Sequence, residues 1–193
     1  MTALDGWRSW SDGRLALIGP AGCGKTHLAR SWARDADAVA FEPGVTDLAA
    51  LRGRAVLLED ADRRPADETL FHLINMADGG GRLLITARTA PRTWPTDVAD
   101  LRSRLNALMV AEVAAPDDAV LEGVIRHFFR ERHIRPEDDV PAFLARRIER
   151  SVPAAYAAVA RIDEIAAAAK REVTRVLARE VLEEHDQTLD LFD

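Results

Sequence analysis

The amino-acid sequence predicts an α/β fold: a five-stranded parallel sheet flanked by helices, followed by an all-helical unit at the C-terminal side. Three observations predict it. Short apolar runs alternate with helical stretches over residues 1–115, the rhythm of a parallel sheet wrapped by helices. The runs are continuously apolar, as burial on both faces requires. From Pro116 onward the pattern turns to helices alone. The chain has 193 residues, 48% hydrophobic and 30% charged, which suits one soluble domain with a small appendage and excludes a disordered chain.

The elements follow in order. Residues 15–18 (Leu-Ala-Leu-Ile) read as a buried strand ending at Gly19, with a helix over about 25–34. Further strands are expected over 38–41, 55–58, 83–86 and 107–111. The stretch 67–78 is helical, with Leu70, Phe71, Leu73, Ile74 and Ala77 on an apolar face, and Gly79-Gly80-Gly81 stops it. In the C-terminal unit, 117–132 sets Val120, Leu121, Val124, Ile125, Phe128 and Phe129 on one helical face. Val140, Phe143, Leu144 and Ile148 mark a second helix. Ser151 caps a third, with Pro153 just inside it and Tyr156, Val159, Ile162 and Ile165 along it. Thr174 caps a fourth, spaced Val173, Leu177, Val181. The expected organisation is an α/β domain over 1–115, a helical unit over 116–184 and an exposed tail over 185–193.

Composition narrows the function. Acids outnumber bases 32 to 26, a net charge of −6, which argues against a protein that grips nucleic acid by itself. The four tryptophans, at 7, 10, 32 and 94, are scattered and form no basic aromatic stripe. A single cysteine excludes an internal disulfide and a cysteine-built zinc site. No apolar run approaches 18 residues and no signal peptide opens the chain, so a cytoplasmic protein with no membrane partner is expected. Of 26 basic residues only Lys25 and Lys170 are lysines, and one of them sits in a motif.

That motif is Gly19-Pro20-Ala21-Gly22-Cys23-Gly24-Lys25-Thr26, a full match to G-x-x-x-x-G-K-[ST] at a strand-to-helix junction. Glycines let the backbone fold so that its N–H groups converge on phosphates, and the following helix aims its positive end there. Lys25 reaches the β and γ phosphates and Thr26 ligates Mg²⁺. Cys23 is a small filler within the loop. A second acidic site is expected on a neighbouring strand, and 55–58 lead into Glu59 and Asp60. Glu59 is assigned to the Mg²⁺ side and Asp60 to both the metal and the catalytic water, although hydrolysing P-loop proteins often carry Asp before Glu. Thr86, at the end of the fourth strand, either senses the γ-phosphate or is a β-branched strand residue. His27 and His72 are expected on core-facing helix sides.

Several stretches together resemble the DnaA-related AAA+ proteins. They are Leu84-Ile85-Thr86-Ala87-Arg88 with its proline-containing sequel, Asp100-Leu101-Arg102-Ser103-Arg104-Leu105, Gly24-Lys25-Thr26-His27-Leu28-Ala29 and Leu70-Phe71-His72-Leu73-Ile74-Asn75. Within that group the chain looks like the Hda-type regulatory inactivators of DnaA, in the short alphaproteobacterial form. The resemblance spans about residues 4–182 and implies an AAA+ P-loop fold with a helical lid. It implies binding of ATP or ADP with Mg²⁺ through Gly19 to His27, Thr86 and Arg150. It further implies docking on the polymerase III sliding clamp (beta subunit) and an arginine presented to ATP held by DnaA. Arg104 falls on the arginine-finger position and Arg102 is the substitute. The arginine that relatives place at the start of the third lid helix falls on Pro153, with Arg150 nearby. The extension around the adenine and the N-terminal clamp peptide of the family have no counterpart, and a separate DNA-binding domain is not expected.

The sequence Gln187-Thr188-Leu189-Asp190-Leu191-Phe192 resembles the clamp-binding peptide of bacteria, with one residue inserted. Gln187, Leu189, Leu191 and Phe192 are its candidate contacts, and a final helical turn is the other reading. The resemblance implies an adaptor that promotes hydrolysis of DnaA-bound ATP and so represses re-initiation. A self-sufficient ATPase of helicase-loader or clamp-loader type is the alternative, and self-association is open.

Overall fold

The computed structural model describes residues 3–10, 12–61 and 66–189, the last six of these by backbone alone. It divides into two compact units, Met1–Ala114 and Ala115–Asp193.

The first unit is built on five parallel strands, β1 (Arg14–Ile18), β2 (Val39–Ala40), β3 (Ala55–Leu58), β4 (Arg82–Ala87) and β5 (Met109–Glu112), in the order β2-β3-β4-β1-β5. Alternation along the strands sorts their side chains onto two faces. Leu15, Leu17, Leu57 and Leu84 meet Ala29 and Trp32 of helix α1 (Lys25–Asp35). Val56, Leu58, Leu83, Ile85 and Ala87 face the other way, onto Leu70, Leu73 and Ile74 of α2 (Asp67–Met76) and Leu101 and Leu105 of α3 (Ala99–Ala107). The strand that carries the phosphate-binding sequence therefore lies second from one edge, and β4 separates it from the acidic strand β3.

Three expectations change here. The last strand is an edge, with Met109 40% and Val110 44% exposed, because only β1 flanks it. Its apolar run alone does not reveal that one side lacks a neighbour. His27 and His72 are exposed, since α1 and α2 turn Ala29, Trp32, Leu70 and Leu73 inward. Three of the four tryptophans gather in space: Trp10 stacks on Trp32 at 5.7 Å and Trp7 meets it edge-on at 6.3 Å, tying the N-terminal segment to α1, while Trp94 is buried on the other face of the sheet.

The second unit packs α4 (Asp118–Glu131), α5 (Val140–Ala145), α6 (Val152–Ala169) and α7 (Arg175–Leu189) around Leu121, Ile125, Phe129, Val140, Leu144, Val159, Ile162 and Leu177. Asp117 and Ser151 cap α4 and α6 by accepting from Val120 N at 2.8 Å and Ala154 N at 3.2 Å. Lys170 closes α6 in the left-handed conformation, φ +51°. Val120 and Tyr156 are 55% and 51% exposed rather than core residues. Tyr156 instead packs edge-on against Phe128 and under Arg132. α7 contains no glycine or proline and runs to Leu189, so Gln187 and Leu189 have helical backbone in place of the start of an extended tail. Leu191 and Phe192 lie outside the described residues.

Candidate functional site

The loop between β1 and α1 owes its course to its glycines. Gly22 and Gly24 adopt φ +73° and +97°, which side chains disfavour. A Cβ at Gly19 would collide with the Val113 carbonyl oxygen and lie 3.0 Å from Cys23 Sγ. Gly19 N donates to Ala87 O at 3.2 Å, fixing the loop to the end of β4. Pro20 and Ala21 are exposed at the tip, and Thr26 and His27 are exposed on the first turn of α1. Lys25 is only 8% exposed. Its Nζ donates to Gly19 O at 2.7 Å and Pro20 O at 2.6 Å, and lies 3.7 Å from Cys23 Sγ. The loop thus concentrates one positive charge and the N-terminal end of a helix at one point, with the carbonyls sharing the ammonium protons.

The acidic pair sits two strands away from that loop. Glu59 Oε2 accepts from Arg30 Nε at 3.3 Å and Nη2 at 3.2 Å, joining β3 to α1. Its Oε1 is buried without a hydrogen-bond partner among the described residues. Asp60 is exposed and has φ +51°, a strained value that Asp tolerates better than most residues. Its N–H donates to Thr86 Oγ1 at 2.9 Å. Thr86, 1% exposed near the C-terminal end of β4, therefore ties the end of the acidic strand in place. That contact adds a third role to the two expected of Thr86, and its hydroxyl proton is still available to donate. A hard cation suits this donor set: the Thr26 hydroxyl and the unsatisfied Glu59 oxygen are the ligand types Mg²⁺ takes. Among the described residues no group of three or more His, Cys, Asp or Glu side chains gathers at metal-binding spacing.

Two of the candidate arginines, Arg104 and Arg102, lie elsewhere in the α/β unit. Arg104, in the last turn of α3, donates from Nη1 to Asp78 Oδ2 at 3.0 Å and stands over the Phe71 ring, 5.2 Å from its centroid. Asp78 lies just before β4, and its Oδ1 pairs with Nη2 of Arg14, the first residue of β1, at 2.9 Å. Arg104 is thus at the N-terminal edge of the sheet, whereas the phosphate loop leaves its C-terminal edge. The five residues of β1 put about 16 Å between the two edges at ~3.3 Å per residue. Arg102 is committed elsewhere, donating to the carbonyls of Arg92 at 3.2 Å and Thr96 at 3.3 Å. Arg150 belongs to the helical unit and pairs with Asp118 at 2.8 Å.

Sequence reasoning missed Arg30, Asp78 and Arg14. No local pattern marks them, because each acquires its partner only through the crossing of sheet and helices.

No family model matches the chain. It is 32% identical to the replication initiator DnaA of Thermomicrobium roseum over 128 residues, 65% of this chain and 27% of that protein. It is 28% identical to DnaA of Sphingopyxis alaskensis over 202 residues, 89% of this chain and 44% of the relative. Among solved structures it resembles domain III of Thermotoga maritima DnaA with a TM-score of 0.74 and 17% identity, covering 94% of this chain and 89% of that one. This is an AAA+ P-loop fold. The Thermotoga maritima RuvB branch-migration motor shares it at 0.68 and 19% identity, over 88% of this chain and 61% of the motor. DnaA bound to AMPPCP and single-stranded DNA shares it at 0.68 and 16% identity, over 98% of this chain and 65% of the other. The chain shows homology to DnaA at modest identity and spans less than half the length of these curated relatives. Among its described residues no helix is long and apolar enough to cross a membrane.

Proposed function

We propose that this DnaA-related AAA+ protein is a regulatory adaptor of replication initiation, which binds ATP or ADP with Mg²⁺ and promotes hydrolysis of ATP held by DnaA. The observation that carries the reading is the position of Arg104. It is partly exposed, at 34%, on the sheet edge opposite its own phosphate loop. A guanidinium there is too far from its own nucleotide to act on it and is presented to a neighbour. An arginine supplied in trans neutralises charge that builds during phosphoryl transfer, an effect of about 10³–10⁵ in rate.

In this reading the Gly19–Thr26 loop holds the chain's own nucleotide, with Lys25 exchanging loop carbonyls for phosphate oxygens and Thr26 and Glu59 on the Mg²⁺. Asp60, through a water, completes the metal's surroundings. The nucleotide organises the adaptor, and the chemistry takes place on the partner. The polymerase III sliding clamp is the second partner, through Gln187, Leu189, Leu191 and Phe192. Since α7 is helical to Leu189, clamp docking requires its last turn to unwind, because such peptides bind extended. The net charge of −6 accords with a protein that meets DNA through partners and not by sequence-specific contacts of its own.

Mixing the chain with ATP-loaded DnaA, clamp and DNA is expected to accelerate ATP hydrolysis. Absence of acceleration by the wild type sinks the adaptor reading. A second reading, a self-sufficient ATPase of loader type, is favoured by the buried, unpaired Glu59 Oε1 beside the acidic strand end. Turnover by the chain alone that collapses in Glu59→Gln would select that reading.

A further inference from the structure

The geometry points to Asp78 as the positioning residue of Arg104, an inference that rests on the adaptor reading above. Each oxygen of the Asp78 carboxylate takes one arginine: Oδ1 accepts from Arg14 Nη2 at 2.9 Å and Oδ2 from Arg104 Nη1 at 3.0 Å. The two ends of this chain differ in freedom. Arg14 is 14% exposed and donates from Nη1 to the Ile74 carbonyl of α2 at 3.2 Å, so it is held on both sides. Asp78, itself 47% exposed, is anchored by this doubly held partner, and the turn that carries it runs into Gly79, Gly80 and Gly81. A Cβ at Gly81 would come within 2.9 Å of Arg54 O and 3.0 Å of Met76 O, so the chain there is tightly packed.

Arg104 is the outer end, 34% exposed. Asp78 takes only one of its nitrogens, and the Phe71 ring covers one face of the guanidinium. Among the described residues its remaining N–H groups take no hydrogen bond, which leaves them for an acceptor outside the chain. An arginine has many rotamers, and fixing them in advance removes that ordering cost from the transition state. The series runs from Arg14, held on both sides, through the shared Asp78 carboxylate to Arg104, so the guanidinium is aimed from an anchored residue.

Removing the carboxylate has a second effect: Arg14 and Arg104 would face one another without the charge between them, which drives Arg104 away from its aim. Asp78 touches no substrate in this scheme and acts through Arg104 alone.

The test uses the full chain with ATP-loaded DnaA, clamp and DNA, titrating the chain and reading both the maximal stimulated hydrolysis rate and the half-saturating concentration. Asp78→Asn is expected to lower the maximal rate about 10- to 100-fold, as a misaimed catalytic group does, with half-saturation within about twofold of wild type. Asp78→Glu is expected to restore most of the rate. Melting curves of both variants identify any that fail to fold, and in that event the Arg14→Lys variant, which loosens the same carboxylate, is read in the same way. A full rate in Asp78→Asn, a change in half-saturation alone, or no recovery in Asp78→Glu overturns the inference. No stimulation by the wild type overturns the adaptor reading and this inference with it. Stimulation lost in Arg104→Ala but kept in Asp78→Asn overturns this inference alone.

Discussion

The two edges of the central sheet are built from different materials. At the C-terminal edge the phosphate loop is held by backbone, Lys25 by the carbonyls of Gly19 and Pro20 and Gly19 N by Ala87 O, while the acidic pair beside it rests on the side chains of Thr86 and Arg30. At the N-terminal edge the functional groups are held by side chains, in the series Arg14, Asp78, Arg104 over Phe71. Backbone fixes geometry against change of sequence and suits an edge that must take phosphate in one pose. Side-chain ion pairs leave the last member partly exposed, which suits an edge that faces a partner. Under the proposed function the difference separates binding from action: one edge would keep a nucleotide, and the other would offer a charge.

The sharpest way to break that comparison is at Arg104. Arg104→Ala is expected to reduce stimulated hydrolysis of DnaA-bound ATP by about 10³-fold or more. The affinity of the chain for its own nucleotide, measured by calorimetry, should stay unchanged. Loss of nucleotide binding in this variant would mean that the two edges are not separate. Lys25→Ala is the complementary change. It removes a charged donor from the phosphates, and charge-assisted hydrogen bonds contribute about 1.5–3 kcal/mol each. With two such bonds the expected loss in nucleotide affinity is about 100-fold or more. Fluorescent-nucleotide titration checks it, and retained affinity would show that the loop backbone suffices alone.

The same contrast explains what could be read in the sequence. The phosphate loop occupies eight consecutive residues, and the acidic strand end two, so their chemistry is written locally. Strands β1, β3 and β4 are legible for a related reason: continuous apolar runs report burial on both faces. The edge position of β5 is not legible, because its exposure depends on which strands lie beside it. The ion-pair series joins three elements far apart in the chain, with a sequence separation of 26 from Asp78 to Arg104 alone. The tryptophan cluster is the same case, since Trp7 and Trp10 meet Trp32 across β1 and the phosphate loop. Helix caps lie between these extremes, and Asp117 and Ser151 bond where local spacing puts them.

A smaller effect is expected at Thr86. Thr86→Val keeps the shape and removes the oxygen that accepts from Asp60 N–H. A donor left without a partner at this part-buried position costs up to about 1–3 kcal/mol, and Asp60 also loses the contact that offsets its left-handed backbone. Urea unfolding should show a lower midpoint with an unchanged slope. If the midpoint does not move, water replaces the hydroxyl there, and the C-terminal edge depends less on packed hydrogen bonds than its geometry suggests.

The smallest effect serves as a control on the N-terminal edge. Arg171 and Glu180 form an exposed pair in the helical unit, with donor-to-acceptor distances of 2.7 and 3.2 Å, comparable to those of Asp78 with its arginines. The hydrogen bond from Arg171 is the main cause that holds the Glu180 carboxyl below the ordinary glutamate value. Its stabilising contribution is therefore complete above the unfolded-state pKa, declines as pH falls below that value, and is gone once the folded-state pKa is passed. An NMR titration of Glu180 should give a depressed midpoint that returns to the ordinary value in Arg171→Gln, with hydrolysis of DnaA-bound ATP unaffected in that variant. The pair resembles Arg104 with Asp78 in distance and differs in lacking a buried third member such as Arg14. If Arg171→Gln lowered hydrolysis as much as Asp78→Asn, loss of any surface ion pair would suffice, and the special standing of the N-terminal edge would go with it. If it changes only the titration of Glu180, the ordered series from Arg14 to Arg104 is what distinguishes an aimed arginine from one that is merely paired.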